Sequence, residues 1–230
     1  MPFPWPPPEL QFTGRPDQTH PDRIPPHLVT QPSQASPAQR VQHPSQTEVN
    51  EVFARLKWSI LDSPPEVQIF NVGARGESQW QSLFENPNLA IAEEAATEPP
   101  QSRLNFVIEP LHNWWHWHDA GKKHLRPGPG LIENTDGRPI SVKQFIQGVH
   151  DYAVPLRKLL CQCTDIDNPS YWPRARFYFQ LIMGGREINL ERSFPLLDFH
   201  VVEDPNGEGV ESAWLWEALE TRFGNKSAPQ

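Results

Sequence analysis

The sequence predicts an α+β domain, a small antiparallel sheet with one central helix and a C-terminal helix, behind a disordered proline-rich arm. Three observations carry this. Prolines at 2, 4, 6, 7, 8, 16, 21, 25, 26, 32, 37 and 44 crowd the N-terminus, out of 27 in 230 residues. Apolar runs with strand character lie on both sides of one strongly capped helix. A second helical run closes the chain. The elements do not alternate strand with helix, so antiparallel strands with segregated helices fit better than a doubly wound sheet.

Residues 1–48 form the predicted arm. Proline fixes φ and removes a backbone donor, and Gln, Ser and Thr fill the gaps. Such a segment buries too little apolar surface to offset its ordering entropy. Within it, Phe3, Pro4, Trp5, Pro6, Pro7 and Pro8 have the character of a polyproline ligand for an aromatic-lined groove.

Residues 49–224 form the predicted domain, and 225–230 a polar tail. Val49, Val52, Phe53 and Leu56 fall at i, i+3, i+4 and i+7, a short helical stripe. Leu56–Leu61 reads as extended or helical until Pro64 and Pro65 end it. Val67–Val72 is a strand closed by Gly73 and Gly76. Residues 86–100 read as a loop with a helical turn near Ala90–Ala96. Leu104–Ile108 is a strand ended by Pro110, and Arg126–Gly130 is a loop.

The clearest helix follows the Asp136-Gly137 turn. Ser141 is a good N-cap, and Gln144 three residues on completes a capping box. Ile140 and Phe145 are placed for a hydrophobic staple, and Val142, Phe145, Ile146, Val149 and Ala153 form one apolar stripe. Pro155 ends or kinks it, and Leu156, Leu159 and Leu160 start a second short helix. Strand-like runs 176–183 and 186–190 around Gly184-Gly185 read as a hairpin. Leu196–Val202 is a further strand. Ser212 caps a final helix stopped by Gly224.

The stretches Lys57-Trp58-Ser59-Ile60-Leu61 with Pro64, Phe106-Val107-Ile108, and Ile140-Ser141-Val142 with Phe145, Ile146 and Val149 resemble an uncharacterised fungal domain family. The similarity spans about residues 55–200. It departs at Trp114–His118. The family has no known activity, so the resemblance implies a fold unit and no mechanism.

Composition narrows the function classes. The net charge of −8 disfavours a general nucleic-acid partner, since phosphate contact relies on Lys and Arg. No run is long and apolar enough for a membrane helix, and the first residues lack the pattern of a secretory signal. The two cysteines, Cys161 and Cys163, stand too close to staple distant segments. An intracellular protein, cytoplasmic or nuclear, is expected.

Candidate sites concentrate in 112–118. On a strand, His116 and His118 would share a face, joined by His112 if the strand continued, which would suit zinc or iron. Trp114, Trp115 and Trp117 would instead line a binding groove, or fill the core. No nucleophile elbow, phosphate loop or dinucleotide fingerprint is present. The leading expectation is therefore a non-catalytic intracellular domain, without cofactor, that binds another protein. The alternatives are a metal-dependent enzyme at 112–118 and an intracellular effector-like protein.

Overall fold

A computed structural model describes residues 47–72, 78–113, 116–183, 196–209 and 212–224. The chain divides into units Met1–Val41 and Gln42–Gln230, and every described residue belongs to the second. The expected arm, including Phe3–Pro8, lies outside the described residues. So do Trp114, Trp115, Gly73, Gly76, the Gly184-Gly185 turn, the run 186–190 and the tail.

The domain is α+β, with small sheets and few helices. Strand β1 (Glu48–Val49) leads into a 3-10 helix, Glu51–Arg55, started by Asn50, whose side chain accepts from the Val52 amide. The short helical stripe expected there forms as a 3-10 helix, and it buries Val52 and Phe53. Strand β2 (Leu56–Lys57) pairs with β3 (Gln68–Val72), and β3 with β4 (Ser78–Ser82), giving an antiparallel three-stranded sheet. Helix α1 (Leu89–Ala92) is the expected helical turn, and β5 (Thr97–Glu98) pairs with β1.

The main sheet has four strands in the order β7 (Gly130–Glu133), β6 (Arg103–Ile108), β9 (Leu196–Asp204), β8 (Arg176–Met183). Pairs β6–β7 and β8–β9 are antiparallel, whereas β6–β9 is parallel. Among the described strands β6–β9 is the one parallel pair, and the others are antiparallel as expected. A parallel neighbour needs a long crossover, and the chain supplies one. It runs through α2 (Glu109–His112), β7, α3 (Val142–Ala153), α4 (Arg157–Cys163) and β8 before β9 lies down beside β6.

Helix α3 forms as its sequence requires. The Ser141 hydroxyl accepts from the Gln144 backbone amide at 3.2 Å, and the Gln144 side-chain Oε1 accepts from the Ser141 backbone amide at 3.0 Å. Its stripe Val142, Phe145, Ile146, Val149 and Ala153 is buried, each large side chain worth about 1.5–3 kcal/mol. Phe145 packs edge-on to Phe53 and Phe106, with ring centroids 5.3 and 5.9 Å away. Trp58, Phe179 and Phe199 complete this aromatic core.

A β-bulge lies between Phe179 and Leu181. One extra residue reverses the alternation. Before it Phe177 and Phe179 face the core; after it Ile182 does, and Leu181 and Met183 are exposed. Beyond the strand's outer face, Tyr178 meets Leu215 and Trp216 of α5 (Ala213–Gly224). At the start of α5 the buried Ser212 hydroxyl donates to the Gly209 carbonyl.

Candidate functional site

The described half of the Trp/His run is not a strand. Pro110 is accommodated in the first turn of α2, where its missing N–H costs nothing, and the backbone then turns through His116 and Trp117. The strand periodicity that would have aligned His112, His116 and His118 is therefore lost. His112 ends α2 with the Arg126 guanidinium against its ring, Nη2 lying 2.7 Å from Nδ1. Burial, and then the Arg126 charge, hold its pKa below the ordinary value, against an opposing pull from Asp198. An adjacent guanidinium also opposes a divalent cation. His116 instead stacks edge-on against Trp117, with ring centroids 4.7 Å apart, and His118 is exposed. Among the described residues no group of three or more His, Cys, Asp or Glu side chains is gathered to hold a metal ion.

Trp117 has a different place. It is 4 % exposed, and its indole N–H donates to the Leu111 carbonyl at 2.9 Å. It forms the floor of a cleft of about 560 Å³ between the 116–125 segment and the α4 end with the loop that follows it. Trp172 also lines it. Its indole N–H donates to the Ile166 carbonyl at 2.8 Å, and the Lys158 ammonium stands 5.7 Å from its ring centroid. Leu125, on the rim, is 54 % exposed. Lys122, Gln162, Asp165 and Asp167 also line the opening.

Local sequence explains the shape. The α4 helix stops at Thr164, whose hydroxyl donates back to the Leu160 carbonyl. Asp165 then takes a φ of 56°, a left-handed conformation that Asp tolerates better than most residues. The chain turns there, and Ile166 is buried against the main core while lining the cleft. Asn168 accepts from the Ser170 amide, and Trp172 follows. Sequence reading missed Trp172 and the 165–172 loop. The only sequence signal was a turn-forming Asp-Ile-Asp-Asn-Pro-Ser run ahead of a tryptophan, and that does not say which segment the loop will face.

The two cysteines lie on α4, both free thiols. Burial, with the nearby Asp165 and Glu109 charges, pushes Cys163 up to about 12, and burial raises Cys161 as well. The thiolate is the reactive form, and burial disfavours it at both positions. No protein-family model, curated protein or solved structure matches the chain.

Proposed function

We propose that this domain is a non-catalytic protein-interaction module whose binding surface is the Trp117–Trp172 cleft. The observation that supports this most is the pairing of two indoles, each pinned by its own N–H to a backbone carbonyl, around an opening with an exposed Leu125. Aromatic side chains fixed in advance supply contact area at little entropic cost. Because both indole N–H groups are already used, recognition would rest on ring faces and on Leu125. Lys122, Gln162, Asp165 and Asp167 would hydrogen-bond the backbone or charged flanks of the partner. An extended peptide segment of another protein suits such a cleft.

An intracellular setting goes with this reading, since both thiols are free and such thiols persist under reducing conditions. No described helix is long and apolar enough to cross a membrane. The resemblance to an uncharacterised fungal domain family brings no activity to set against a binding role.

The test is selection of a displayed random-peptide library on the full chain, followed by hydroxyl-radical footprinting of the complex. Enriched peptides should protect Leu125 and Trp172. Failure to enrich any peptide, or protection confined to another face, would count against the cleft.

A further inference from the structure

The four-stranded sheet ends in β7 on one side and β8 on the other, and the two edges are guarded differently. β7 carries Glu133, and a charged side chain on an edge discourages pairing with another strand. On β8 the guard is a stretch of the chain itself, and it covers one half. The Phe179 amide donates to the Trp58 carbonyl at 2.8 Å, and the Ile60 amide donates to the Phe177 carbonyl at 2.9 Å. Beyond Phe179 this cover stops, because Leu56 and Lys57, which precede Trp58, pair with β3. Among the described residues no backbone group bonds to Gln180, Leu181 or Ile182 from that side.

A groove of about 230 Å³ opens at the same place. Gln180, Leu181 and Ile182 line it beside Phe53, with Glu51 and Arg222 as its charged members. Edge backbone beside an apolar groove is the setting for an added strand. The charges narrow down which strand. Residues 180–182 are uncharged in a chain of net charge −8, so a second copy can approach there without like charges meeting on the strands. Glu51 and Arg222 make no ion pair among the described residues. A two-fold axis presents a surface to itself, so a groove with one charge of each sign is self-complementary. A strongly acidic partner would leave Glu51 opposed, and a strongly basic one Arg222.

We propose that the open half of β8 pairs antiparallel with the same strand of a second copy, about a two-fold axis near Leu181. The two four-stranded sheets become one continuous sheet. The strands exchange backbone hydrogen bonds, and Leu181 of each copy lies beside that of the other.

The experiment is sedimentation velocity of the full chain over a concentration series. Wild type is run beside Leu181→Lys, Leu181→Glu and an equal mixture of the two. Leu181 is 40 % exposed, so the fold should tolerate either charge, as circular dichroism will check. Wild type should show a concentration-dependent dimer. Each folded variant alone should associate about tenfold more weakly or less still, since like charges now meet at the axis. The mixture should recover the dimer, because opposite charges face each other. A wild-type protein that stays monomeric throughout the micromolar range overturns the proposal. So does a dimer that persists unchanged in both folded variants, or a mixture that associates no better than either variant alone.

Discussion

The Trp172 indole nitrogen donates to the Ile166 carbonyl, six residues back, at 2.8 Å. Trp117 repeats the relationship with Leu111 at 2.9 Å. In each case the chain turns and its own tryptophan closes the turn, so the cleft walls are held before any ligand arrives. Trp117→Phe keeps an aromatic floor but leaves a buried carbonyl without its donor. We expect a loss of about 2 kcal/mol in urea unfolding. A change below about 0.5 kcal/mol, the level of an uninvolved surface site, would show that this bond does not hold the floor.

Gly207 is a backbone requirement of a different kind. Its φ is +68°, and a Cβ there would fall 2.2 Å from the Arg174 carbonyl oxygen. Its amide also donates to the buried Asp204 carboxylate, which accepts from Gly209 as well. Gly207→Ala should cost about 2 kcal/mol or more, seen as a lower Tm. Gly209→Ala, which also has positive φ but open space around its Cβ position, should cost less.

Much of the fold was legible in the sequence because local rules and tertiary packing agreed. The Ser141–Gln144 box, the stripe from Val142 to Ala153 and the Leu104–Ile108 strand all form where their patterns place them. Strands β4 and β7 were not legible. Ser78–Ser82 carries a single large apolar residue, Trp80, and Gly130–Glu133 begins on a glycine required by the Phe106 ring, which stands 2.3 Å from a Cβ built there. Such strands are defined by their partners. The site was half legible. Trp117 was identified as a groove or core residue and serves as the buried floor of a cleft. Trp172 and Leu125 were not identified, because only the path of the loops brings them to line the same cleft as Trp117. The metal alignment of His112, His116 and His118 depended on an extended segment that the first turn of α2 pre-empts.

His112 gives a pH signature. Its folded-state pKa is lowered from 6.5 by burial and by Arg126. The folded protein therefore binds fewer protons there than the unfolded chain. The associated stability is present above about pH 6.5 and is lost as pH falls through the depressed value. His112→Gln should flatten the decline in unfolding free energy as pH falls below about 6.5. An unchanged pH slope would mean that His112 is not the titrating group.

Cys161 and Cys163 should react slowly with a thiol-modifying disulfide reagent at mildly alkaline pH, because burial raises both and puts Cys163 at about 12. Both should react quickly once the protein is unfolded in guanidinium. Rapid native-state labelling of Cys163 would contradict the environment described for the end of α4.

The cleft itself is tested most directly by calorimetric titration of a library-selected peptide into three forms of the full chain: wild type, Leu125→Asp and Met183→Asp. Leu125 and Met183 are similarly exposed, at 54 % and 53 %, but only Leu125 lines the cleft. A charge placed on the rim should weaken binding by about tenfold or more, while the same change on β8 leaves the affinity at the wild-type value. Retained affinity in Leu125→Asp together with loss in Met183→Asp would place the binding surface elsewhere and contradict the account.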